Sequence, residues 1–166
     1  MQNKLIPLFA VLAMLSACAD DKVADTSGAG AGTGGTLTAQ GVGPGSQDDL
    51  VANVGDRVFY ALDSSSVSSE GRATLDRQAA WLGRYPAVSV QVAGNCDERG
   101  TTEYNLALGQ RRANASRDYL VARGVSSARV TTISYGKERP TAVGSDEQAY
   151  AQNRNAATSV RSGPSS

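Results

Sequence analysis

Apolar and polar residues divide the chain into three parts with different patterns. A nearly continuous apolar run covers residues 5–15, a stretch without hydrophobic period follows to about residue 47, and regular patterns begin near residue 48. Only the third part can bury a core, because a segment without apolar periodicity has no face to bury. The 166 residues therefore predict one folded domain with additional segments before it.

Within the third part, four segments have the pattern of strands and three have that of helices. The strands are predicted at residues 57–62, 88–93, 129–135 and, more weakly, 156–160. The helices are predicted from residue 68 or 69 to residue 86, from 103 to 123, and from a capping-box pattern at 145–148. The order β-α-β-α-β-α-β predicts helices packed on one or both faces of a four-stranded sheet, with a loose tail at 163–166.

The first part has the features of a secretion signal over residues 1–17. Lys4 supplies a positive start, residues 5–15 form the apolar core, and Ser16 and Ala17 are small. The apolar run is too short to cross a bilayer core of roughly 30 Å as a helix. The sequence Leu15-Ser16-Ala17-Cys18 resembles a bacterial lipobox, which predicts lipidation of Cys18. The alternative is an ordinary signal peptide with a cysteine near its cleavage site.

Residues 18–47 are rich in glycine and predict a disordered tether that starts at the lipidated cysteine. A coil of this length has a spread of about 30 Å and a maximum reach of about 100 Å. Ala19 follows the cysteine, at the position where aspartate would retain a lipoprotein in the inner membrane. The alanine therefore implies transfer to the outer membrane.

The charge composition excludes several classes of function. The chain has 16 basic and 16 acidic residues without a basic stripe, so nucleic acid is a poor candidate partner. It has no histidine, which removes the commonest metal ligand and the commonest general base. We expect no metal and no other cofactor. Cys96 has no disulfide partner if Cys18 is acylated, and its expected role is that of a small packed side chain.

Charged residues gather where the second predicted strand ends. Asp97 lies there in a short segment between two glycines, and Arg111 and Arg112 lie in the helix that follows. A carboxylate and a guanidinium that face each other across a cleft suit a zwitterion, because they bind its ammonium and its carboxylate respectively. Adjacent helical residues point about 100° apart, so only one arginine can face Asp97. The residues alone leave open which one does.

Four motifs in the folded part are specific enough to compare with known families. They are FYALD at residues 59–63, NCDERGTTEYNLALGQRRANA at 95–115, SYGKERP at 134–140, and the pair Asn153-Arg154. Together they resemble the OmpA C-terminal-like domain family, in the form of its peptidoglycan-associated lipoproteins. The resemblance covers roughly residues 55–160 and implies a two-layer α+β sandwich with a mixed sheet, over residues 48–162.

The resemblance also implies a function, which is non-covalent binding of peptidoglycan through its meso-diaminopimelate residue. The two key positions of the family fall on Asp97 and Arg112, which decides between the two arginines. Positions that line or support the family's pocket fall on Asn105, Arg111, Arg154 and Asp63. By the same resemblance, the protein would be an outer-membrane lipoprotein that faces the periplasm. It would belong to the Tol-Pal system, contact TolB and help the outer membrane to constrict in cell division.

Three residues depart from the family pattern. The family usually has histidine at Asn95, glutamate at Ala93 and a second arginine at Asn155. These replacements remove charged or titrating groups near the expected pocket or the last strand. We therefore expect a reduced affinity or a less stable last strand, with the two central ligand groups intact.

Two other functions and one simpler interpretation stand beside this one. An enzyme acting on peptidoglycan could use Asp97 and Glu98 as paired carboxylates, but glycosidases need a defined separation that sequence neighbours do not obviously provide. Without histidine there is no Ser/His or Cys/His pair, so we do not expect an enzyme. A structural lipoprotein with a weakened pocket is the third possibility. In the simplest interpretation, residues 97–99 form a solvated loop with a local ion pair.

Overall fold

The computed structural model describes residues 43–162. The predicted signal, Cys18, most of the predicted tether and the tail lie outside the described residues. The helices are α1 (Gln47–Asn53), α2 (Ser69–Arg84), α3 (Thr102–Ala122) and α4 (Glu147–Asn153). The strands are β1 (Arg57–Phe59), β2 (Ser89–Asn95), β3 (Val130–Gly136) and β4 (Asn155–Ser162). None of these helices combines the length and the apolar character needed to cross a membrane.

The four strands form one mixed sheet in the order β1-β4-β2-β3. β4 runs antiparallel to both of its neighbours, whereas β2 and β3 are parallel. This arrangement confirms the predicted α+β fold. β4 lies inside the sheet and is longer than predicted, because its buried residues include Ala156 and Thr158, whose small side chains give a weak hydrophobic pattern.

Helices α2 and α3 pack against each other and against the sheet, and the core lies between them. Along β2, Val90 and Val92 are buried and alternate with half-buried Ser89 and Gln91, as expected for a strand with one covered face. Trp81 of α2 is 1% exposed. The rest of the core includes Leu50, Val58, Leu75, Leu82, Val88, Ala113, Leu120, Val125, Val130 and Ala156.

The structure corrects three of the predicted boundaries. β1 ends at Phe59 rather than residue 62, and the amide of Tyr60 then donates to the carbonyl of Arg154 at 2.9 Å. The last helix is capped by Asp146 rather than Ser145, because the Asp146 carboxylate accepts from the amide of Ala149. A turn of 3₁₀ helix at 127–129 precedes β3, which therefore begins one residue later than predicted.

The sequence pattern did not predict helix α1, which begins inside the segment assigned to the tether. Ser46 caps it by accepting from the amide of Asp49. Asp49 accepts from the indole nitrogen of Trp81 at 2.9 Å, and Leu50 is 1% exposed. A seven-residue helix has too few apolar positions to show a period, so its stability comes from these tertiary contacts.

Helix α3 lies directly on the ends of β2 and β3, because glycines stand at the crossing points. A Cβ on Gly94 would overlap the carbonyl oxygen of Gly109, and a Cβ on Gly109 would overlap the Ser134 hydroxyl. Gly136 approaches the backbone of Leu106 in the same way and has a positive φ. This close approach places the side chains of α3 next to the residues that follow β2.

Candidate functional site

Asp97 is fixed at the end of β2 by the contacts of its neighbours. The amide of Cys96 donates to the carbonyl of Gly136 at 2.8 Å, which holds the chain against β3. Thr101 caps α3 by accepting from the amide of Tyr104. Between these two anchors, Asp97 is only 5% exposed.

A cavity of about 230 Å³ opens beside Asp97. It is lined by Leu62, Asp63, Cys96, Asp97, Arg99, Gly100, Tyr104, Asn105, Leu108, Arg112 and Arg154. Five of the six predicted ligand-binding residues therefore meet at one cavity. The sixth, Arg111, is exposed on α3 and is not among the lining residues. Pockets for drug-sized ligands measure about 300–1,000 Å³, so this cavity fits the end group of a ligand.

The carboxylate of Asp97 is paired with two guanidinium groups. Arg99 donates from Nη2 to Oδ2 at 2.6 Å and from Nε to Oδ1 at 3.2 Å, and its amide also donates to Oδ1. Arg154 donates from Nη1 to Oδ2 at 3.3 Å. Burial alone would raise the pKa of Asp97, but the hydrogen bonds from Arg99 and Arg154 outweigh burial and lower it. Asp97 is therefore ionised at neutral pH.

Arg112 is 1% exposed and is held by backbone carbonyls. Its guanidinium donates to the carbonyls of Asn95 and Ser64 at 2.8 Å each, and to that of Ala61 at 3.1 Å. Among the described residues, no carboxylate lies within ion-pair distance of it. Burial lowers the pKa of Arg112. The site thus contains a buried positive charge on the cavity wall that the described chain does not neutralise.

Cys96 and Asn105 support the loop and the arginine behind it. Asn105 donates from its side chain to the carbonyl of Arg99 at 2.7 Å, and the Cys96 thiol donates to the carbonyl of Asn105 at 3.4 Å. Arg112 donates to the same sulfur at 3.3 Å. The thiol is free and buried, and burial raises its pKa. Cys96 is therefore the packed side chain that the sequence predicted.

Arg154 and Asp63 come to the cavity from the two ends of the domain sequence. Arg154 follows α4, is 7% exposed, and donates to the carbonyl of Tyr60 at 3.2 Å and to Glu147 at 2.8 Å. Asp63 lies in the loop after β1 with a φ of 52°, and its side chain is exposed. Arg154 is thus a buried wall residue, whereas Asp63 lies at the rim.

In the simplest interpretation of the sequence, residues 97–99 form a solvated loop with a local ion pair. The structure shows the ion pair between Asp97 and Arg99, with the carboxylate buried and the guanidinium partly exposed. Arg99 lines the cavity and Asp97 is buried behind it. Sequence reasoning also did not identify Leu62 and Tyr104, which lie on the lining and are both more than 40% exposed. Their only sequence signal is membership of the motifs at 59–63 and 95–115.

Asp97 and Glu98 do not form the paired carboxylates that an enzyme would need. Glu98 lines a separate cavity with Lys137 and Pro140, is exposed, and accepts from the hydroxyl of Tyr150. The hydrogen bond from Tyr150 lowers the pKa of Glu98, and that of Asp97 is lowered as well. A glycosidase needs one carboxyl group with a raised pKa as its acid, and neither residue supplies it.

The three departures from the family pattern lie beside the cavity rather than on its lining. Asn95 donates from its side chain to that of Asn155 at 2.8 Å, and both are buried. Asn155 donates in turn to the carbonyl of Gln152. Ala93 pairs with Ala157 across β2 and β4. An amide pair therefore links β2 to β4 behind the site, and none of the three contributes a group to the cavity.

Fold and cavity together define a small α+β ligand-binding domain with a charged cleft at the end of a central strand. The chain belongs to the OmpA family, whose model matches residues 59–154. A protein of Rhizobium meliloti (strain 1021) named peptidoglycan-associated lipoprotein is 52% identical over 93% of this chain and 85% of its own length. A protein of the same name from Pasteurella multocida (strain Pm70) is 40% identical over 93% of this chain and 95% of its own length.

Solved structures agree with this assignment. The peptidoglycan-associated lipoprotein from Burkholderia pseudomallei is 44% identical and superposes with a TM-score of 0.62, over 64% of this chain and 90% of that one. The C-terminal domain of Helicobacter pylori MotB superposes with a TM-score of 0.60 at 19% identity, over 64% of this chain and 84% of that one. The second comparison concerns the fold alone.

Proposed function

We propose that this protein binds peptidoglycan non-covalently, with the zwitterionic end of a meso-diaminopimelate residue in the cavity between Asp97 and Arg112. The names of the relatives support the class of ligand. In this proposal, Asp97 binds the ammonium and Arg112 the carboxylate. Asn105, Arg154 and Asp63 shape or support the site, and Arg111 contributes from the outer face of α3.

The observation that carries the proposal is the buried guanidinium of Arg112. A buried charge costs several kcal/mol unless an opposite charge compensates it, and the described contacts of Arg112 are carbonyl groups, a thiol and the ring of Tyr60 at 5.3 Å, none of which carries a full negative charge. A ligand carboxylate in the cavity would supply the missing charge. Four of the five N–H groups of Arg112 already have acceptors, so one N–H is left to donate to the ligand carboxylate, and the attraction between the two charges would be strong in a site shielded from water.

The charges and the size of the cavity favour the same kind of ligand. Its lining carries two carboxylates, Asp63 and Asp97, against three guanidiniums, from Arg99, Arg112 and Arg154, which leaves one positive charge in excess. That excess favours a ligand that brings a carboxylate. A volume of about 230 Å³ accommodates the head group of an amino acid rather than a disaccharide, so recognition falls on the stem peptide.

The wider role in the proposal follows the resemblance of the whole chain. Lipidation of Cys18 would anchor the protein in the outer membrane, and residues 18–47 would act as the tether to the domain in the periplasm. Binding of peptidoglycan by the anchored protein would couple the outer membrane to the cell wall. Membership of the Tol-Pal system, contact with TolB and a role in constriction during cell division complete the proposal.

Sedimentation with purified sacculi tests the proposed function. Residues 19–166 would be mixed with sacculi that contain diaminopimelate, beside Asp97→Asn and Arg112→Lys. Both variants keep the size of the side chain but remove the charge of Asp97 or the planar donor geometry of Arg112. We expect the wild-type chain in the pellet and binding weakened about tenfold or more in each variant. Circular dichroism would establish that the variants are folded.

Arg139→Ala is the matched control, because it removes an exposed arginine that is not on the cavity lining. Its guanidinium stacks on Tyr135 at 3.8 Å. The control should sediment like the wild-type chain. Wild-type chain that stays in the supernatant would contradict the proposal and favour a structural lipoprotein with a weakened pocket. Soluble fragments released from the sacculi would instead indicate an enzyme.

A further inference from the structure

The carboxylate of Asp97 already has as many hydrogen-bond donors as it can accept. Two carboxylate oxygens offer about four lone-pair sites. Oδ1 accepts from the amide and Nε of Arg99, and Oδ2 accepts from Nη2 of Arg99 and Nη1 of Arg154. The proposed function requires this carboxylate to bind a ligand ammonium. One of the present donors must therefore leave before the ammonium can bind.

Arg154 is poorly placed to leave. It is 7% exposed, and its other nitrogens donate to the carbonyl of Tyr60 and to the carboxylate of Glu147. Moving it would break three hydrogen bonds and leave the carbonyl of Tyr60, a residue that is only 4% exposed, without this donor. An unsatisfied buried carbonyl is costly, so Arg154 is expected to stay.

Arg99 is the donor that can leave, because two other partners are already within reach. Its side chain is 39% exposed, Nη1 lies 3.7 Å from Oε2 of Glu147, and its guanidinium carbon lies 4.4 Å from the ring centre of Tyr150. The side chain of Glu147 is 67% exposed and can follow a small movement. Rotation away from Asp97 would therefore leave the guanidinium with an anion and an aromatic ring as partners.

We infer that Arg99 is an internal competitor for the ammonium site: a ligand ammonium replaces the Arg99 side chain on Asp97, and Arg99 moves to Glu147 and Tyr150. This inference rests on the proposed function and adds a residue that sets its specificity. Without Arg99, the buried carboxylate of Asp97 keeps only one of its two cations, Arg154 at 3.3 Å, so the loss of Arg99 is costly until another cation takes its place. Only a ligand with a cationic group can complete the exchange, whereas a ligand with a carboxylate alone leaves Arg99 in place.

Calorimetry with two ligands tests the exchange. One ligand is the tripeptide N-acetyl-L-alanyl-γ-D-glutamyl-meso-diaminopimelate, whose one free amine belongs to the diaminopimelate residue, and the other is the same tripeptide with that amine acetylated. We expect Arg99→Ala to bind the first about three- to tenfold more tightly than wild type, because the competitor is gone. The doubly acetylated ligand should bind wild type and variant alike. Arg99→Lys should lie between the two proteins, and Arg139→Ala should match the wild-type chain for both ligands.

Weaker binding of the zwitterionic tripeptide by Arg99→Ala would overturn the inference, since Arg99 would then contribute directly to the bound state. An equal gain for both ligands would also overturn it. A wild-type chain that binds neither ligand would overturn the proposed function together with the inference. Binding that is lost in Asp97→Asn but unchanged in Arg99→Ala would overturn the inference alone.

Nuclear magnetic resonance can distinguish the exchange from a purely structural role of Arg99, because only the exchange would shift the signal of its side chain. The Nε–Hε signal of Arg99, assigned by its absence in Arg99→Ala, reports the hydrogen bond from Nε to Asp97. We expect this signal to shift when the zwitterionic tripeptide saturates the domain and to stay in place with the doubly acetylated one. An unchanged signal at saturation with the first ligand would contradict the exchange.

Discussion

Arg112 is at once a proposed ligand group and a part of the fold. Its guanidinium joins the carbonyls of Ala61 and Ser64, in the loop after β1, to that of Asn95 at the end of β2. Loss of this side chain would therefore loosen the cavity wall as well as remove a charge. This double role is why Arg112→Lys is a better test of binding than Arg112→Ala.

The environment of Cys96 predicts an unreactive thiol. Burial raises its pKa, so less of it is thiolate than in an exposed cysteine, and the thiolate is the reactive form. We expect Ellman's reagent to label Cys96 in residues 19–166 at least about tenfold more slowly at pH 8 than in the denatured chain. Equal rates in the native and denatured chains would show that the loop opens readily and would contradict the packing described for Cys96.

At the residue scale, sequence reasoning identified the charges but not their partners. Asp97 and Arg112 were found because their motif is specific. The saturation of Asp97 by Arg99 and Arg154 could not be predicted, since Arg154 lies 57 residues away in the chain. Arg99 was visible only as a local ion pair, because burial of its partner depends on how α3 packs.

At the scale of elements, the crossing of β2 and α3 determines the geometry of the site. Gly109→Ala should destabilise the domain by about 3 kcal/mol, because the new Cβ would overlap Ser134 and lie 2.8 Å from the carbonyl oxygen of Gly94. It should also weaken sacculus binding, since α3 carries Arg112. Denaturant unfolding would measure the first effect and sedimentation the second.

The matched control is Gly83→Ala in α2, where a Cβ would meet nothing within 4 Å. Alanine favours helix over glycine, so this variant should be more stable by up to about 1 kcal/mol and bind normally. A Gly109→Ala variant as stable as Gly83→Ala would contradict the close approach of α3 to β2.

The contacts of Asp49 in helix α1 should make the free energy of unfolding depend on pH. The amide of Gly45 and the side chains of Asn53 and Trp81 donate to Asp49 and lower its pKa. Because folding lowers the pKa of Asp49, its ionised carboxylate stabilises the fold at pH values above the pKa in the unfolded chain, which is near 3.8. This stabilisation is lost as the pH falls through the lower pKa that Asp49 has in the folded chain. Asp49→Asn should cost about 1 kcal/mol at pH 7, with the difference from wild type shrinking towards pH 3.

Urea unfolding of both chains between pH 3 and pH 7 would measure this difference. A constant difference across that range would show that the Asp49 charge is not linked to folding. The sequence indicated Asp49 only as part of the region where globular composition begins. Its role depends on Trp81, which lies 32 residues later in the chain.

For the whole molecule, the sequence predicted the class of fold and the order of seven of its elements. Long segments with clear periods, such as α2 and α3, were placed within a residue or two of their bounds. It did not place β4 inside the sheet, because the order of strands depends on contacts between distant segments. Helix α1 was also not predicted, since seven residues cannot show an amphipathic period.

The composition of the whole chain predicts that the affinity for the ligand does not change with pH between neutral and mildly acidic conditions. The protein has no histidine, which is the only side chain whose ordinary pKa lies between pH 5 and pH 8. Affinity for the zwitterionic tripeptide should vary less than about twofold between pH 5.5 and pH 8. It should fall once the pH drops through the lowered pKa of Asp97, below 3.8. Calorimetry between pH 5.5 and pH 8 would check this, because another titrating group at the site would appear as a change in affinity within that range.

The affinity of the wild-type chain for three forms of one ligand tests directly whether Asp97 and Arg112 bind the two charges of a zwitterion. They are the N-acetylated diaminopimelate tripeptide, its form that is also acetylated on the free diaminopimelate amine, and its form amidated on the diaminopimelate carboxylate next to that amine. If Asp97 binds the ammonium and Arg112 the carboxylate, calorimetry should show each blocked form binding about tenfold more weakly or worse. Equal affinity for all three forms would contradict the account, because neither charge of the ligand would then be recognised.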